Sequence, residues 1–174
     1  MSQTANPLKQ FFRQPAIYLR LPSAGEHWAD GALAMPPNGE LPVYPMTAID
    51  ELTYRTPGAL FNGKAVVNVI QSCVPAIQNA WNVPATDLNA ILTAIRIASY
   101  GHDMEIDTIC PACETQSEYT LDLRQLLDAI KSGDYHKPLV RGDLTISFAP
   151  MDYARQNESS QYQFEQQKNI QKDR

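Results

Sequence analysis

The chain has 174 residues, 44% apolar and 19% charged, with a formal net charge of −5. That is enough for one domain, or one domain with appendages, to bury a core without disulfide or metal staples, and the composition excludes a disordered polymer. The acidic balance argues against a nucleic-acid duplex as main partner, and no apolar run reaches the ~18 residues that would suggest a membrane span.

Three cysteines form no paired framework and fit a reducing cytoplasm. The first residues lack the charged-then-apolar order of a signal peptide. Residues 1–14 read as a polar arm carrying Phe11 and Phe12. Ala16 to Leu21 then alternates, with Ile17, Leu19 and Leu21 on one side, which predicts a strand with one buried face ended by Pro22. Residues 22–46 hold five of the thirteen prolines. Such a stretch reads either as a stiffened wrap over the chain's own surface or as a loop with a partner, and only Leu41 to Tyr44 suits a short edge strand.

Thr47 opens a helix, with Asp50 three residues on in its first turn. Thr56-Pro57 repeats the start signal, and Asn62-Gly63 marks a stop or turn. Val66, Val67, Ile70, Cys73, Val74 and Ile77 recur at helical spacing, which predicts a helix over 64–80. After Pro84, Thr86 is expected to cap a second helix over 86–100, with Leu88, Ile91, Leu92 and Ile95 as its stripe and Gly101 as its stop. The short link between them predicts an antiparallel pair. Met104, Ile106 and Thr108, then Tyr119 and Leu121, switch to period two around Cys110-Pro-Ala-Cys113 and predict a β-hairpin. A short helix follows from Leu123 to Ile130, then a strand from Leu144 to Phe148. From Arg155 the chain is rich in Gln, with Tyr162, Phe164 and Ile170 as its large apolar residues. On a helix these three share no narrow stripe, so a coiled-coil seam is not expected.

Cys110 and Cys113 are the metal candidates. A tight turn presenting two thiolates is half of a zinc knuckle, and Cys73 and His102 are the residues left to complete it. Cys73 reads equally as a buried hydrophobe, and His102 as a solvated turn residue. Redox use fits poorly, because the sequence after Cys113 alternates as a strand rather than opening a helix. His27, His102 and His136 lack the context of a nucleophile–base pair. Asp50-Glu51 reads as helix capping, and His136-Lys137-Pro138 with Arg141 as a basic surface loop. Trp28 and Trp81 read as core or interface anchors. Taken together, Phe11, Phe12, Trp28, Tyr162, Phe164 and Ile170 are the candidate partner-binding residues, with no catalytic residue and no cofactor beyond a structural zinc as the alternative.

The stretches Leu41-Pro-Val-Tyr-Pro-Met-Thr-Ala-Ile-Asp-Glu-Leu52, Arg55-Thr-Pro-Gly-Ala-Leu-Phe-Asn-Gly63, Val69-Ile-Gln-Ser-Cys-Val-Pro75, Asp87-Leu-Asn-Ala-Ile-Leu-Thr-Ala-Ile-Arg96 and Ala98-Ser-Tyr-Gly101, with the trailing Cys110-Pro-Ala-Cys113, carry a resemblance. Over about Phe12 to Leu123 the chain resembles the baseplate hub assembly proteins of T-even-type contractile bacteriophages. The resemblance implies a non-enzymatic part in building the tail baseplate in the host cytoplasm. It leaves open a virion subunit in several copies among other baseplate or tail proteins and a transient assembly chaperone. A zinc-dependent binding module is the rival outside that class. The expected fold is α+β: a central helical hairpin with an antiparallel β-hairpin, peripheral strands and extended terminal arms. The expected division is an N-terminal arm over 1–14, one α+β domain over 15–150 and a polar, partner-bound tail over 151–174.

Overall fold

The computed structural model describes residues 13–56, 58 and 62–172. Phe11 and Phe12 lie outside the described residues, as does a second helix start at Pro57. The fold is α+β, with five α-helices and three antiparallel strand pairs among the described residues.

The first pair joins β1 (Ile17–Leu19) to β2 (Leu41–Val43), with Ile17 opposite Val43, Tyr18 opposite Pro42 and Leu19 opposite Leu41. A proline is tolerated there because each strand has only one neighbour. The alternation of the first strand holds, since Leu19 and Leu21 are buried and Tyr18 is exposed. Between the strands, the proline-rich segment lies along the chain's own surface. The Ala34 amide donates to the Ala76 carbonyl, and the Gln78 and Asn79 amides donate to Ala32.

Helix α1 (Ala48–Arg55) starts with the expected capping box. The Thr47 amide donates to Asp50 Oδ2 at 2.8 Å, and the Asp50 amide donates to Thr47 Oγ1 at 3.3 Å. Thr56 closes this helix in an extended conformation, as a residue before proline does. Asn62-Gly63 then turns the chain into α2 (Lys64–Cys73), with Gly63 at φ +74°. A Cβ at Gly63 would come within 2.9 Å of the Asn157 side chain, which would have to shift, and the backbone angle itself favours glycine.

The helix predicted over 64–80 stops at Cys73. Val74 leaves the helical region because Pro75 follows it, and the apolar residues beyond continue inward as a turn rather than a helix. A 3-10 turn (Ala80–Asn82) leads to α3 (Ala85–Tyr100). Pro84, not Thr86, holds its N-cap position. Thr86 lies inside the first turn with its hydroxyl buried and without a hydrogen-bond partner. The expected stripe faces inward: Leu88, Ile91 and Ile95 are buried with Ala90 and Ala94, and Leu92 packs at the margin. The chain leaves α3 at Gly101, whose amide donates to the Ile97 carbonyl at 2.9 Å.

The second pair is the hairpin β3 (Asp103–Ile109) and β4 (Gln116–Asp122), closed by the Cys110–Thr115 turn. Helix α4 (Leu123–Ala129) begins under an Asp122 cap and packs against α3. The third pair, β5 (Leu139–Arg141) with β6 (Leu144–Ile146), places a strand where a basic surface loop was expected. β6 also stops short of Phe148. The polar tail is helix α5 (Tyr153–Lys172) rather than an extended arm.

A continuous core joins Leu19, Leu41, Val43, Ile70, Val74, Ile77, Ile91 and Ile95 to Tyr153. The first residue of α5, in the stretch read as tail, is therefore a core residue. Its ring stacks on Trp81 at 5.7 Å and its amide donates to the Val83 carbonyl at 2.9 Å. No helix among the described residues is long and apolar enough to cross a membrane.

Candidate partner-binding surfaces

Among the described residues, the β3–β4 hairpin, α5 and the surroundings of α1 are three of the surfaces that carry apolar side chains outside the core. The largest departure from sequence expectation is the β3–β4 hairpin. Every residue of β3 is exposed, so the alternating pattern has no core beneath it. One face pairs Met104 with Leu121 and Ile106 with Tyr119; Ile106 is 37% and Tyr119 58% exposed. The opposite face carries Asp103, Glu105 and Asp107 on β3, against Asp122, Thr120 and Glu118 on β4. Two of these cross-strand pairs, Asp103–Asp122 and Asp107–Glu118, oppose like charges, which works against hairpin stability. At the base of the ribbon the Arg124 fork moderates this and holds the Asp122 carboxyl down at about 2, and His102 Nε2 lies 3.5 Å from Asp103. Glu105, Asp107 and Glu118 leave the middle of the ribbon acidic.

The second surface is α5 beyond its anchored first turn. Tyr162, Phe164 and Ile170 are all more than half exposed. The third lies around α1. Ile49 and Leu52 face solvent beside a groove of about 370 Å³ lined by Met46, Val66, Val69, Leu92 and Tyr100.

Trp28 has a different setting. It is half-buried against the core, and its indole N–H donates to Asp87 Oδ2 at 2.8 Å. Asp87, fully buried at the start of α3, also accepts from the Ser23 amide at 2.9 Å and from the Ser23 hydroxyl. This carboxylate fastens the segment after β1 onto α3. Sequence reasoning missed it, because its donors lie 59 and 64 residues away. A second buried carboxylate, Asp50, joins α1 to α2. Burial alone would raise its pKa. The Thr47 amide and hydroxyl, the Ser72 hydroxyl and the Arg13 charge outweigh that and hold it below its ordinary value. Arg13 in turn donates to Pro45, Ser72 and Cys73, so the end of the N-terminal arm is fastened beside α2.

Cys110 and Cys113 sit at the hairpin tip as free thiols. Hydrogen bonding with Thr115 lowers the pKa of the Cys113 thiol, whereas burial raises that of Cys73. Cys73 packs in the core with Arg13 against its sulfur, and among the described residues no third potential ligand gathers at the Cys110–Cys113 turn. The residues that do gather are Glu26, His27 and His136. No short-range pattern announces them. The hairpin's acidic face, by contrast, was readable as a carboxylate at every second position from Asp103 to Asp107.

A family model described as T4 bacteriophage base plate protein matches residues 46–172. The match spans α1 through α5, including both projecting elements, and the chain belongs to this family. Searches of curated proteins and of solved structures found no match.

Proposed function

We propose that the chain is a structural subunit or assembly factor of a contractile phage tail baseplate, in its hub region, acting by protein–protein contacts and not by catalysis. The family match over residues 46–172 carries this reading. The β3–β4 hairpin and distal α5 supply the means, since both present large apolar side chains away from the core. The acidic middle of the hairpin favours a partner with a basic rim around an apolar seat, and such complementarity acts mainly on encounter rate and register. Tyr162, Phe164 and Ile170 are the tail's contact residues. Phe11 and Phe12, outside the described residues, and the half-buried Trp28 are the further contact residues of this proposal. Partners are other baseplate or tail proteins, met in the host cytoplasm, with several copies placed in the virion tail.

Proteomics of purified virions together with a deletion of residues 155–174 tests this. The truncation keeps Tyr153 and should spare the melting temperature while blocking incorporation into the tail. Recovery from particles identifies a subunit. Absence from particles together with failed tails in the deletion identifies a transient factor. A chain absent from particles whose deletion leaves tails and infectivity normal overturns the proposal.

A further inference from the structure

We propose that Glu26, His27 and His136 bind one divalent first-row transition ion, with Zn²⁺ as its probe, clipping the segment after β1 to the segment ahead of β5. One ligand atom from each residue lies within 4.8 Å of the others. His136 Nε2 is 2.8 Å from Glu26 Oε2, and His27 Nε2 is 4.0 Å from the same oxygen. Ligand atoms around a tetrahedral zinc stand about 3.3 Å apart, so these separations bracket what the ion needs. Two imidazoles and one carboxylate suit zinc, cobalt or nickel and are a poor set for calcium or magnesium, which take oxygen donors. Three protein ligands leave at least one coordination position for water or a partner's side chain.

The backbone segments that carry these exposed side chains are held from both directions. His27 has φ +65°, a left-handed conformation uncommon outside glycine. Its neighbours keep it there: the Glu26 amide donates to the Ser23 carbonyl at 3.0 Å, and Ser23 and Trp28 are both tied to the buried Asp87 carboxylate. Backbone strain of this kind persists only where the surroundings over-determine it, and it clusters at ligand clamps. On the opposite segment, Asp134 Oδ1 accepts from the His136 amide at 3.1 Å. Lys137 pairs with Asp134 at 2.9 Å, which offsets its charge beside the site. Tyr135 meets the His27 ring edge-on at 5.3 Å. Glu26 and His136 are 110 positions apart in sequence, so an ion here closes a long loop. The inference is independent of the family assignment.

The test uses the full chain, stripped with chelator and titrated with Zn²⁺ by calorimetry and with Co²⁺ by absorption spectroscopy. The expected result is one ion per chain, with a first coordination shell of nitrogen and oxygen in X-ray absorption and a melting temperature raised by Zn²⁺. Cys110→Ser with Cys113→Ser should keep the ion. His136→Gln, on an exposed segment, should lose it, as should Glu26→Gln and His27→Asn, the last because Asn also tolerates the left-handed backbone. Sub-stoichiometric binding, sulfur in the coordination shell, or an ion retained by His136→Gln would overturn the proposal.

Discussion

Helix α3 and the β3–β4 hairpin are neighbours in the chain, separated by Gly101 and His102, yet they dispose of apolar side chains in opposite ways. The helix turns Leu88, Ile91 and Ile95 into a core shared with α2 and the β1–β2 pair. The hairpin turns Met104, Ile106, Tyr119 and Leu121 outward. Both patterns are regular and both predict the correct secondary structure. A periodic pattern therefore specifies which face of an element is apolar, but burial also requires a second element to lie against that face. A lone two-stranded ribbon is marginal in water. This one is tied at its base by the burial of Leu123 and by the bond from the Leu123 amide to the His102 carbonyl.

The contrast can be broken by substitution. Truncating Ile91 to Ala removes a fully buried side chain and should destabilise the chain by about 2–5 kcal/mol in chemical denaturation. A loss well under ~1 kcal/mol would mean that α3 is not the centre of the core. Next in size, Asp87→Ala leaves the Ser23 and Trp28 donors without their acceptor and should cost roughly 2–3 kcal/mol. The accompanying loss of hydrogen-exchange protection should centre on residues 23–28.

A smaller effect, about 1 kcal/mol, is expected for Asp50→Ala through its capping box. The Asp50 carboxyl is held below its ordinary 3.8, so its charged form stabilises the fold above that pH. That contribution is lost as pH falls through the folded-state value. Urea titrations of the wild type and variant should therefore show a constant gap above pH ~4 that narrows only as pH falls further, through the folded-state value; a gap that persists at the lowest pH would assign the effect to packing. The smallest change is expected for Ile106→Ser with Tyr119→Ser. Both residues are exposed, and stability should move by no more than about 0.5 kcal/mol while tail incorporation falls. A large drop in stability with assembly intact would reverse the contrast and make the hairpin a piece of the core.

The sequence was readable where the controlling contacts are local. Thr47 and Asp50 are three residues apart, and their capping box forms as expected. The alternation from Asp103 to Asp122 folds into one hairpin. The end of α2 was also readable, because Pro75 stood inside the predicted helix; the continuing apolar spacing of Val74 and Ile77 masked it. Those side chains are buried from a turn, where helical period has no meaning. The three residues of β5 are too few to show a period, and the basic residues around them read as loop. The long-range carboxylate anchors and the Glu26–His27–His136 group were beyond reach, because chain spacing does not encode which distant side chains meet. Tyr153 is the instructive case in the tail. One aromatic just ahead of a Gln-rich stretch that also carries Tyr162 and Phe164 gave no sign of its place in the core.

The anchoring of α5 also has a mechanical meaning. Its first turn is gripped by the Trp81–Tyr153 stack and the bond to Val83. Ile170 stands about 25 Å further along the same rod, at the helical rise per residue. A rearrangement of neighbours around Ile170 would therefore be transmitted along this rod to the Trp81 stack, which couples the tip to the core.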